Sequence, residues 1–131
     1  MIVLDASAVI ELVLNTPVGR SVSTRIDSES VSLHAPDVLD LELEQVLRRL
    51  VRQRIIDETR GTTAIEDYLQ LGISRHKHEI LLPRIWELRD NITAYDAAYV
   101  ALAEALDAPL LTLDERLSNT LGHRATIELV T

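Results

Sequence analysis

Apolar positions along this chain follow two rhythms. Short unbroken runs that stop at an acid or a turn, such as Ile2–Leu4 in "IVLD", read as strands buried on both faces. Longer stretches repeat apolar residues every three or four positions and read as helices with one buried stripe. A helix is expected from Ser7 to Leu14, with Ala8, Val9, Leu12 and Val13 on one side. Thr16 then caps, and Pro17 opens, a second short helix. "VSLHAP" (Val31–Pro36) is the second strand. Asp37–Arg54 is the strongest helix, striped by Leu39, Leu43, Val46, Leu47 and Leu50. Glu58–Leu71 is another, weakened near its start by Gly61. "ISRHKH" reads as a third strand and Ile80–Asp90 as a helix. Thr93–Leu106, "TAYDAAYVALAEAL", is apolar nearly all round, so it is a helix inside the core. "APLLTLD" (Ala108–Asp114) is a strand, followed by a helical turn and a last strand in "ATIELV". Alternation of this kind predicts a three-layer α/β/α domain with a mostly parallel central sheet, spanning residues 1–131 as one unit.

Composition narrows the picture. The chain has 131 residues, 47% hydrophobic, but no Phe, one Trp and three Tyr, so the core is built from Leu, Ile, Val and Ala. Absence of cysteine removes disulfides, thiolate metal sites and thiol catalysis. The opening "MIVLDASAVIELVL" lacks a basic leading segment and carries Asp5 and Glu11 within its apolar stretch. No run approaches the roughly 20 apolar residues of a membrane span. A cytoplasmic protein with no membrane association is expected. The net charge of −8 argues against a protein that coats nucleic acid, since that requires phosphate neutralisation by cations. It leaves room for an enzyme that handles nucleic acid through metal ions.

In parallel α/β sheets, ligands bind beyond the carboxyl ends of the strands. Asp5 ends the first strand and Asp114 ends "LLTL". Asp96 heads the helix that leads into that strand, and Glu42 lies early in the Asp37–Arg54 helix, about 100° from its apolar stripe. Each has an ordinary structural explanation. Asp5 and Asp114 fit helix N-caps, Thr93 with Asp96 fits the capping pattern [ST]-x-x-[DE], and Glu42 suits the dipole end of its helix. All four nevertheless fall on one side of one sheet. Carboxylates gathered in a cleft raise one another's pKa unless a cation neutralises them. An all-oxygen set suits Mg²⁺ or Mn²⁺, whereas zinc favours His or Cys.

Four stretches carry a family resemblance that runs nearly end to end. "IVLDASAVIELV", "APDVLDLELEQVLRRL", "NITAYDAAYVALAEAL" and "LLTLDERL" resemble the motifs of PIN-domain ribonucleases, and within them the VapC-type toxins of bacterial toxin–antitoxin pairs. The resemblance implies a metal-dependent endoribonuclease that cleaves RNA phosphodiester bonds. Asp5, Glu42, Asp96 and Asp114 would be its catalytic and metal-binding acids. Asp5 and Asp96 would be the principal ligands, and Glu42 or Asp114 would orient the attacking water. It also implies a hydroxyl near the metal at Ser7, a cognate antitoxin as inhibitor, and a homodimer or a hetero-oligomer with that antitoxin. The second motif selects Glu42 over Glu44, six residues after Pro36. Family members often carry Asn three residues after that acid, where this chain has Gln45.

Other candidates carry less. Arg116 and Arg89 lie close in sequence to the acids and suit phosphate gripping. Arg48, Arg49, Arg52 and Arg54 fit either an RNA backbone or a solvated face on which Glu44 pairs with Arg48. "HKH" on an edge strand reads as polar surface rather than a metal clip. Trp86 and the leucines of "ILLPRIWELR" read as core. Two alternatives stay open: a PIN nuclease of RNA processing that is not a toxin, and a Mg²⁺-binding receiver domain of signalling. Against the receiver, Asp5 is followed by Ala6 rather than a second acid, and the chain's one lysine is Lys77. A phosphatase of the D-x-D type is excluded by "DAS".

Overall fold

β1 (Ile2–Leu4) runs through the middle of a five-stranded sheet, and all three of its residues are buried. The computed structural model describes residues 1–27 and 30–131. The other strands are β2 (Leu33–Pro36), β3 (Ser74–His76), β4 (Leu110–Thr112) and β5 (Ile127–Leu129), in the order β3-β2-β1-β4-β5. Every pairing is parallel, with Val3 opposite both His34 and Leu110. The expected mostly parallel sheet is thus parallel throughout, in three α/β/α layers. From β1 the chain steps outward to β2 and β3, then returns across the sheet to β4. The carboxyl ends of β1 and β4 therefore border the point where strand order reverses, the place where such sheets leave a crevice.

Among the described residues, seven α-helices flank the sheet: α1 (Ala6–Val13), α2 (Pro17–Asp27), α3 (Val38–Arg52), α4 (Glu58–Gln70), α5 (Leu82–Glu87), α6 (Ala94–Leu106) and α7 (Glu115–Ser118). In α6, every residue from Ala97 to Ala103 is buried. Four of those seven are alanines, which favour helix and let the backbone lie close against β1, β2 and β4. α3 is the opposite case, burying only Leu39, Leu43 and Leu47 of its apolar stripe. None of the described helices is long and apolar enough to cross a membrane.

α1 and α2 meet at Gly19, where a Cβ would stand 1.9 Å from the Glu11 carbonyl oxygen. Backbone cannot swing aside as a side chain can. Gly19→Ala is accordingly expected to destabilise the protein by about 1–3 kcal/mol, the usual cost of overpacking, read as a lowered urea midpoint.

The segment after β3 departs from expectation. Instead of one helix over Ile80–Asp90 there is a 3₁₀ turn at Glu79–Leu81, and then α5 begins at Leu82. Pro83 explains the break. It has no N–H to donate, so the helix restarts with proline in its first turn, where none is needed. The short α5 buries no residue of its own; Leu81 and Leu88, just outside it, are buried. Trp86 and Leu82 stay exposed, contrary to the core assignment, because only one side of this brief helix rests on α6; Ile80, in the 3₁₀ turn, is exposed too.

Candidate active site

Asp5 leaves β1 at the start of α1 and is only 7% exposed. Its Oδ1 accepts the Ser7 hydroxyl at 2.6 Å and the Ala8 N–H at 3.1 Å, while Oδ2 accepts the Thr112 hydroxyl at 2.5 Å. Ser7 in turn accepts the Leu113 N–H at 2.9 Å. These bonds join the ends of β1 and β4, and they place Ser7 in the support of Asp5. Burial pushes the Asp5 carboxyl above the ordinary carboxylate range; its three donors oppose that shift, and Asp96 adds to it.

Glu42 stands on the rim of α3, half-buried, where Tyr99 of α6 donates its hydroxyl to Oε1 at 2.5 Å. Its carboxyl is also raised, first by burial and further by Asp96 and Asp5, with Tyr99 pulling the other way. Asp96 lies in the first turn of α6. Its backbone N–H donates to the Thr93 hydroxyl oxygen at 3.2 Å. Burial raises its carboxyl most, then Asp114, while Thr93 and Arg116 lower it. Asp114 caps α7, accepting the Arg116 N–H at 2.9 Å. The Arg116 guanidinium hangs 3.4 Å from the same carboxylate and is 92% exposed.

The four acids are therefore linked by repulsion: Asp114 acts on Asp96, Asp96 on Asp5 and Glu42, and Asp5 on Glu42. The capping roles hold at the same time. Asp5 and Asp114 each cap a helix, and Thr93 caps α6 by accepting the backbone N–H of residue 96 while its hydroxyl also lowers the Asp96 carboxyl. Asp96 and Asp114 open into a cleft of about 610 Å³ whose walls include Arg89, Asn91, Arg116 and Thr120. Asp5 and Glu42 do not line that cleft. Among the described residues, no three His, Asp or Glu side chains are arranged as they stand to hold a metal ion.

Two supporting residues escape a reading of the sequence. Thr112 is fully buried and holds Asp5; a polar residue inside the apolar run "LLTL" is the signal that points to it. Tyr99 lies three residues after Asp96, on the face of α6 that meets α3. Burial and Glu42 hold its hydroxyl well above the usual tyrosine range, so it stays a donor. Tyr99→Phe is expected to cost about 1.5–3 kcal/mol, nearer the lower figure because Glu42 is partly exposed, as measured by urea unfolding.

Several surface expectations change. Glu44 and Arg48 do not form their expected pair; the ion pairs of the described residues lie elsewhere. The histidines of "HKH" are more engaged than a polar edge implies. His76 bonds His34 across β2 and β3 at 2.9 Å, and His78 Nε2 accepts the Val38 N–H at 3.1 Å, capping α3 where Asp37 does not.

The chain belongs to the PIN domain family, whose model matches residues 2–121. It is 43% identical over 130 residues to Ribonuclease VapC12 of Mycobacterium tuberculosis, spanning 99% of each protein. To Ribonuclease VapC9 of the same organism it is 42% identical over 130 residues, spanning 99% of this chain and 98% of that protein. The fold is similar to that of VapC20 from M. tuberculosis, described as a sarcin–ricin loop cleaving toxin. There the TM-score is 0.68 at 13% identity, covering 91% of this chain and 94% of that one. It is also similar to VapBC2 of Rickettsia felis, solved bound to a DNA fragment from its promoter, with a TM-score of 0.70 at 12% identity over the whole of both chains. The receiver-domain alternative falls with this membership.

Proposed function

We propose that this protein is a divalent-cation-dependent endoribonuclease and the toxin of a toxin–antitoxin pair. The observation that carries the proposal is the gathering of Asp5, Glu42 and Asp96, whose carboxyls are raised by burial and by neighbouring acids, with Asp114 beside Asp96, in a chain more than 40% identical to two named ribonucleases. Asp5, Glu42 and Asp96 receive hydroxyl and N–H donors but, among the described residues, no ion-paired Lys or Arg. Uncompensated oxygen donors of this kind fit Mg²⁺ or Mn²⁺. Asp5 and Asp96 would hold the cation, with Asp114 and Glu42 completing its surroundings after modest side-chain rotation. When bound, the cation supplies water activation and charge stabilisation at the phosphorus.

The chain's own residues do the remaining work. Thr112, Ser7 and the Ala8 N–H fix the Asp5 carboxylate. Tyr99 holds one oxygen of Glu42 and leaves the other to accept a proton from the attacking water, so Glu42 is the general base. Arg116, exposed at the mouth of the cleft, meets the phosphate.

The partners follow from surface and charge. The net charge of −8 suits a small basic antitoxin. Exposed Leu82 and Tyr95 border an apolar hollow with Val38, Ile85 and Ala98, a surface suited to a second copy or to the antitoxin. The test of activity is incubation of total cellular RNA with the purified chain. Cleavage in Mg²⁺ that stops with EDTA and returns with excess Mg²⁺ supports the proposal; cleavage that persists in EDTA contradicts it.

A further inference from the structure

His34 and His76 lie outside the acidic centre, on β2 and on the edge strand β3. His34 Nδ1 stands 2.9 Å from His76 Nε2, and the two rings are tilted by 41°. Ser32 Oγ engages the other nitrogen of His34, Nε2, at 2.8 Å. Both rings are partly open to solvent, and neither forms an ion pair among the described residues. Burial, then His76 and the chain's amino terminus, hold His34 below the ordinary histidine range. Near pH 7 it is therefore the neutral imidazole, the form that gives a lone pair to a metal.

A polar pair at a sheet edge needs nothing more than water. Here two ring nitrogens converge instead, and the outer nitrogen of one is held in place. Two nitrogens about 2.0–2.1 Å from one ion stand about 2.9 Å apart when they meet at a right angle, and a tetrahedral angle takes roughly 0.4 Å more. Metal-bound histidines are oriented by a hydrogen-bond partner on their outer nitrogen, and Ser32 stands in that place. An imidazole pair suits Zn²⁺ and its transition-metal neighbours rather than Mg²⁺. We propose that His34 and His76 bind a transition dication of the Zn²⁺ type, with water completing its coordination, at a site separate from the acidic centre. The ion ties the three-residue strand β3 to β2. There the His76 carbonyl oxygen accepts the Asp37 N–H at 2.9 Å, and His78, two residues on, caps α3. Occupancy steadies the start of the helix that carries Glu42. The inference stands independently of the ribonuclease reading.

The purified chain, free of any histidine tag, is titrated with Zn²⁺ by isothermal calorimetry in excess Mg²⁺, which competes for the acids. Saturable Zn²⁺ binding is expected. His34→Gln and His76→Gln should each abolish it, and Ser32→Ala should weaken it roughly tenfold, the scale of a lost partner outside the ligand shell. His78→Gln should bind as wild type does. Unchanged circular dichroism establishes that each variant is folded. In wild type, with no substitution at all, Zn²⁺ should shift the imidazole ¹⁵N resonances of His34 and His76 and leave those of His78 and His123. Equal Zn²⁺ affinity in His76→Gln and wild type overturns the site, as does the absence of binding by wild type. Shifts confined to His78 or His123 overturn it too. Binding that persists in His34→Gln and His76→Gln but fails in Asp96→Asn puts the ion among the acids, which also overturns it. RNA cleavage in Mg²⁺, measured separately, is untouched by any of these outcomes.

Discussion

Asp96→Asn is expected to lower Mg²⁺-dependent RNA cleavage by roughly a thousandfold while leaving the fold intact, the scale seen when a positioned charged or polar group is removed from a reacting centre. The side chain keeps its size, and the α6 cap survives because Thr93 accepts the backbone N–H of residue 96, which the substitution leaves in place. What disappears is the charge that couples Asp114 to Asp5 and Glu42. Removing one member of a repelling set relieves strain, so the variant should melt at or slightly above the wild-type temperature, a trade of activity for stability common at such sites. Cleavage at the wild-type rate by a folded Asp96→Asn would reduce Asp96 to a helix-start residue.

Mn²⁺ is expected to raise the melting temperature of wild type, and more so as pH rises. The sign follows from the acids themselves. Asp5, Glu42 and Asp96 have folded-state pKa values raised by burial and by one another. For each, the folded form favours the protonated carboxyl, so without a cation their contribution to stability falls as pH rises from the ordinary carboxylate range through the raised values. A bound cation reverses the preference by favouring the carboxylates. At tenfold excess over its dissociation constant it contributes about 1.4 kcal/mol, or roughly 4 °C for a chain of this size. The increment should be largest near pH 8 and vanish in acid, where protons displace the cation. Differential scanning fluorimetry with and without Mn²⁺, between pH 5 and 8, measures it. An increment that does not depend on pH, or that survives in Asp96→Asn, would place the cation elsewhere.

Much of this site is legible in the order of the amino acids. Short apolar runs such as "IVL" and "LLT", stopped by an acid, read as strands buried on both faces and are so, which puts the acids that follow them at strand ends. The position of Glu42 follows from the single apolar stripe of α3. Contacts distant in sequence are not legible in the same way. Tyr99 reaches Glu42 from another helix, and Thr112 reaches Asp5 across two strands. His78 replaces Asp37 as the cap of α3 because β3 delivers it there, which no local pattern records. Trp86 and Leu82 mislead for a different reason. Their apolar character says that burial is favourable, not that this chain alone supplies it.

Crystals soaked in Mn²⁺ and measured at an anomalous wavelength would test the central claim most directly, that these carboxylates form a cation centre. The expected result is anomalous density in contact with Asp5 and Asp96, absent from Asp96→Asn crystals treated alike. Density only at His34 and His76, or none near the four acids at saturating Mn²⁺, would contradict it.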